Sequence, residues 1–139
     1  MPSLELGASP RSPRDARRFI NDAIDAWDVA GDARDVIRLL TTELVTNAML
    51  HGTPPIHVDV TRNGSTIRVE VADTNPAPPV TRPFDPAAPT GHGLLLMERL
   101  AARWGVDARA GGKSVWFEVR RSPGAGASST RVASDTLVR

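Results

Sequence analysis

The feature that most constrains this chain is a strict alternation in its middle. Ile56, Val58 and Val60 lead into "RNGS", and Ile67, Val69 and Val71 lead away from it. Side chains on a strand point to opposite faces in turn, so this pattern demands two strands joined by a tight hairpin, apolar on one side only. A sheet with one apolar face has to be covered, and the rest of the chain must supply the cover.

Two helical patterns precede the hairpin. "SPRD" at residues 12 to 15 gives a serine N-cap, a proline at the first helical position and an acid three residues on. Ala16, Phe19, Ile20, Ala23, Ile24 and Trp27 then recur on one face. A second helix is expected from about Asp32 to Leu50, with Ile37, Leu40, Leu44 and Ala48 facing the core and "HGTPP" stopping it. Residues 74 to 90 hold six prolines and no apolar period, which predicts a long loop. A third helix begins near Gly93 or Leu94, burying Leu94, Leu95, Met97, Leu100 and Ala101. "WGVDA" and "SVWFEVR" close the domain as a second hairpin. The fold class expected is α+β: a two-layer sandwich with three main helices on one face of a mainly antiparallel, mixed sheet. Residues 1–11 read as a flexible N-terminus, 12–121 as the domain, and 122–139 as a disordered tail of small polar residues.

Composition narrows the functions open to such a domain. At 139 residues and 40% hydrophobic it can bury a core, and 17 basic against 16 acidic residues give no electrostatic reason to expect nucleic acid or an anionic membrane. No cysteine is present, which excludes disulfides, thiolate zinc sites and a cysteine nucleophile. With no apolar run of spanning length and no signal-peptide pattern, the chain reads as soluble and cytoplasmic.

Four stretches carry candidate chemistry. On the second helix, Glu43 and Asn47 lie one turn apart at the edge of the apolar stripe. They are either boundary residues with polar ends reaching water or a carboxylate and an amide holding magnesium and a polarised hydroxyl. His51 either lines the same cleft or caps the helix end, and the cap is the simpler reading. On the second strand, the parity that buries Ile67, Val69 and Val71 carries Asp73 inward as well. A lone charge there costs several kcal/mol, so Asp73 either closes an Asx turn in "DTNP" or accepts a hydrogen bond from a ligand's amino group.

In "TGHGLLL", Gly91, His92, Gly93 and Leu94 precede or open a helix, where backbone amides and the helix dipole suit an anion, although a plain loop closure uses the same glycines. In "GGKSVWFE", Ser114 could reach a ligand, and Lys113 is read as solvated rather than bound to phosphate.

Taken together, "ELVTNAMLHG", "VEVADTNP", "TGHGLLLMERLA" and "GGKSVWFEV" resemble, in order and spacing, the GHKL (Bergerat-fold) nucleotide-binding superfamily. Within it they are similar to small bacterial anti-sigma factor serine kinases, over about residues 14 to 120. The resemblance implies ATP and Mg2+ held between helices and sheet. It implies Asn47 as the magnesium ligand, Glu43 as the group that orients or deprotonates the attacking hydroxyl, and Asp73 as the acceptor for the adenine amino group. Gly91 and Gly93 become the glycines of a phosphate-covering lid, and Ser114 stands where threonine is usual. The protein partners implied are an anti-sigma antagonist and a sigma factor, and a homodimer is left open. A departure follows Asp73: the D-x-G-x-G box of such domains reads here Thr74, Asn75, Pro76 and Ala77, with both glycines gone.

Overall fold

The computed structural model describes residues 2–7, 9–77 and 93–121. Five strands and three helices follow in the order β1 (Ser3–Leu6), α1 (Ser12–Ala26), α2 (Gly31–His51), β2 (Ile56–Asn63), β3 (Thr66–Asp73), α3 (Gly93–Leu100), β4 (Arg103–Arg109) and β5 (Gly112–Arg120). The sheet order is β1-β2-β3-β5-β4. Every pairing among the described strands is antiparallel. Three helices thus lie against one face of a five-stranded sheet, as the alternation required.

The register explains why one face is apolar. Val58 stands opposite Val71 and Val60 opposite Val69, while Val69 meets Phe117 and Val71 meets Val115 on the next strand. These rows, with Ile20 and Ile24 of α1, Ile37 and Leu40 of α2, and Met97 of α3, form a single buried core. Each fully buried aliphatic or aromatic side chain contributes about 1.5–3 kcal/mol relative to exposure, so the core outweighs any surface pairing.

Three details differ from the expectation. Residues 1–11 are not structureless, because Ser3–Leu6 pair with β2 as an edge strand, Leu6 opposite Ile56. Ser12 is not the N-cap of α1. Arg11 holds that position without a side-chain cap, and the Ser12 hydroxyl instead donates to the Gly7 carbonyl at 2.8 Å, tying the exit of β1 to the helix start. On α3, Leu100 is 37% exposed and Leu96 packs against the core in its place. α1 ends with Asp28 in a left-handed conformation (φ 56) and the Val29 amide returning to Ile24 O, the geometry that satisfies the last carbonyls of a helix.

The other sheet face is polar. Arg68 bonds Glu70 at 2.8 Å and Glu118 at 3.0 Å and stacks 4.0 Å from the Trp116 ring centroid. Burial by itself would lower the Arg68 pKa, but hydrogen bonds and charge from both glutamates outweigh it and the guanidinium is held above its usual value. No helix among the described residues is long and apolar enough to cross a membrane.

Candidate nucleotide site

The site is built where the C-terminal end of α2 meets the end of β3. Gly52 caps α2, its amide bonded to Ala48 O at 2.9 Å. From there the chain is stitched to the segment after β3. Thr74 donates its amide and its hydroxyl to Thr53 O at 3.0 and 3.1 Å. Asn75 Nδ2 donates to His51 O at 3.1 Å. His51 therefore joins the site through its backbone, while its imidazole is exposed on the last helical turn. Glu43 and Asn47 are half-buried, one turn apart on the same helix, as their place beside the stripe predicts.

Asp73 is buried on the inner face, as parity requires. Of its two readings, the structure shows the turn. Its Oδ1 accepts the Asn75 amide at 2.8 Å, which is the Asx turn of "DTNP", and Asn75 repeats the device by accepting the Ala77 amide at 3.0 Å. Neither Asn75 nor Ala77 has a positive φ. Side-chain acceptors turn this segment, so the missing glycines cost it no backbone strain.

Lys113 corrects the sequence reading. It is buried rather than solvated, and its Nζ lies 3.2 Å from Asp73 Oδ1, 3.1 Å from Oδ2 and 3.1 Å from Asn75 O. Register fixes this, since Asp73 and Lys113 are direct cross-strand partners. Counting back by twos from Val115 and Phe117 reaches Lys113 just as counting on from Val71 reaches Asp73, so alternation held the signal.

Ser114 lies elsewhere. It pairs with Ala72 and Asp107, in the row that faces away from Asp73, so its hydroxyl is on the wrong side of the sheet for the same ligand. Gly52 and Gly112, read from sequence as helix stop and turn, also make room. A Cβ on Gly52 would sit 2.6 Å from Asp73 Cγ, and one on Gly112 would run into the Asp73 carbonyl oxygen. Gly93 opens α3 and Leu94 follows it within the helix, while Gly91, His92, most of the proline-rich loop and residues 122–139 lie outside the described residues.

These residues fit the ATP and magnesium that the motifs imply. An ionised carboxylate has about four lone-pair positions, and Asn75 and Lys113 leave Asp73 capacity for a further donor in a cradle that a Cβ at Gly52 would fill. Asn47 offers magnesium a hard oxygen. Among the described residues no group of three or more acidic or histidine side chains could hold a metal, so a magnesium ion at Asn47 would need its remaining ligands from phosphate and water, as that ion prefers.

The model of the histidine kinase-like ATPase domain matches residues 6–119. No curated protein matches the chain. Among solved structures, the crystal structure of the RsbU and RsbW domains of Rv1364c from Mycobacterium tuberculosis has a TM-score of 0.69 at 21% identity, covering 93% of this chain and 35% of that one. This likeness is one of fold, and the chain spans about a third of that protein's length. The NMR structure of the histidine kinase domain of the E. coli osmosensor EnvZ has a TM-score of 0.47 at 15% identity, covering 96% of this chain and 98% of that one. With a sheet, helices and buried aspartate arranged as described, and with more than three quarters of its length matched, the chain belongs to the histidine kinase-like ATPase domain family, an ATP-binding branch of the GHKL superfamily.

Proposed function

We propose that the protein is an ATP- and magnesium-dependent serine/threonine protein kinase of the anti-sigma factor type, which phosphorylates an antagonist protein and, when unopposed, sequesters a sigma factor. The observation that carries the reading is the half-buried pair Glu43 and Asn47 on α2, whose C-terminal end is stitched to the strand end that bears buried Asp73. The family match supports ATP, and the likeness to a structure containing an RsbW domain supports this branch of the fold.

ATP is the phosphoryl donor, and the magnesium ion bound with it would supply neutralisation of the phosphate charge. Asn47 would hold that ion through its side-chain oxygen, and Asp73 would accept a hydrogen bond from the purine amino group. The backbone amides of Gly93 and Leu94, which open α3, would meet phosphate at the positive end of the helix dipole. Glu43 takes the proton of the substrate serine as its oxygen bonds to the γ-phosphorus and the bond to the leaving ADP oxygen breaks.

Purified protein, labelled ATP and candidate antagonists are expected to give phosphoserine. Glu43→Ala lowers transfer by about 100-fold or more, the scale of a lost general base, with ATP still bound, and Asn47→Ala removes the magnesium dependence of ATP binding. A Glu43→Ala variant that transfers as fast as the parent sinks the assignment.

The glycine-free turn after Asp73 favours a second reading, a nucleotide-binding module without catalysis that captures a protein partner. It predicts ATP binding without turnover and a partner affinity that changes with nucleotide. Observed phosphotransfer eliminates it.

A further inference from the structure

We infer that Lys113 is a base-reading residue: with Asp73 it forms an acceptor and donor pair that takes 6-oxo as well as 6-amino purine nucleotides. The inference rests on the reading of the Asp73 cleft as the nucleotide site.

A lone carboxylate facing the 6-position accepts only, so it bonds a 6-amino group and repels a 6-oxo oxygen there, leaving such a base only its ring N–H to bond with. Here the carboxylate is not alone. The side chains of Lys113 and Asp73 are only 8% and 3% exposed, and their juxtaposition follows from strand register rather than from a free rotamer. The positive charge cancels the negative one and adds a donor at the same spot. An ammonium group carries three N–H donors. One direction is spent on the Asp73 oxygens and another on Asn75 O, and among the described residues no acceptor takes the third. A 6-amino purine donates to Asp73. A 6-oxo purine accepts from Lys113 through its oxygen and donates its ring N–H to Asp73.

The test is titration calorimetry of the full chain with ATP and with inosine triphosphate, which differs from ATP at the 6-position and N1 and lacks the guanine 2-amino group, each with magnesium. The parent is expected to bind inosine triphosphate within about tenfold of ATP. Lys113→Met should weaken inosine triphosphate about 10- to 100-fold more than ATP, the factor that a hydrogen bond from a charged donor is worth. Lys113→Gln, which keeps an N–H donor without the charge, should recover part of that loss.

Circular dichroism checks that each variant folds. Where Lys113→Met does not, the parent's ratio and Lys113→Gln decide. A parent that binds ATP but rejects inosine triphosphate by about 100-fold, or a Lys113→Met variant with an unchanged ratio, overturns the role of Lys113 and leaves the ATP site standing. A parent that binds neither nucleotide overturns the site and this inference with it.

Discussion

Gly52→Ala is the sharpest perturbation of the site, because it adds one methyl group and no backbone strain. Gly52 sits at φ −94, ψ −168, which any residue adopts, so the whole effect comes from contact. The new Cβ would lie 2.6 Å from Asp73 Cγ and Oδ2 and 2.7 Å from Ala48 O. Carbon atoms rest about 3.5–4.0 Å apart, so the carboxylate has to retreat by about 1 Å. Its bonds to Asn75 N at 2.8 Å and Lys113 Nζ at 3.1 Å then stretch out of hydrogen-bonding range. Overpacking costs about 1–3 kcal/mol, and a buried ion pair that loses its partner about 3–5 kcal/mol. Since the carboxylate moves without vanishing, the expected loss lies between, at about 2–4 kcal/mol, or about 8–16 °C in Tm for a domain of this size.

Thermal unfolding followed by circular dichroism measures this, and an ATP titration should lose about tenfold or more as Asp73 leaves its place. Gly7→Ala is the control, with nothing within 4 Å of the added carbon, and should melt within about 2 °C of the parent. A Gly52→Ala protein that melts with the control and binds ATP like the parent would show that Asp73 is not braced between the end of α2 and β5.

The outer face of the sheet gives two further expectations. Gly105→Ala puts a Cβ 2.7 Å from Trp116 Cζ2, so it should destabilise by about 1–3 kcal/mol and red-shift tryptophan emission. ATP binding should not change, because Trp116 and Asp73 lie on opposite faces. Arg68→Met removes the bridge between Glu70 and Glu118. With the guanidinium about a third exposed, screening limits the loss to about 1 kcal/mol. The raised Arg68 pKa sets the sign of its pH dependence: its contribution is complete below the unfolded value and vanishes only in strong alkali, so the stability difference from the variant should be flat between about pH 7 and 10.

Much of this was legible in the sequence because period and parity are local. The alternation about "RNGS" gave the central hairpin, the 3- and 4-residue offsets gave the inward face of α1, and parity carried Asp73 inward. Lys113 obeys the same parity yet was misread, because lysine is so seldom buried that composition overrode position. Burial of that ammonium is tolerable only with a carboxylate beside it, and that carboxylate is 40 residues away in sequence.

β1 was invisible for a similar reason. Leu4 and Leu6 alternate as a strand requires, but four residues are too few to distinguish that from chance, and they pair only with the edge that β2 presents. Ser114 fits the motif by type, but pairing register turns its hydroxyl to the far face.

By itself the sequence determined the three helices and the two hairpins, which side of the central hairpin is apolar, and that a carboxylate ends the inner face of β3, since each of these depends on neighbours along the chain. Only the tertiary structure decided that Lys113 meets that carboxylate, that Gly52 and Gly112 must lack a Cβ, and that Asn75 ties the turn to the end of α2. Those contacts join segments far apart in sequence, and their energies exist only once the sheet register and the helix packing have brought the segments within a few ångströms.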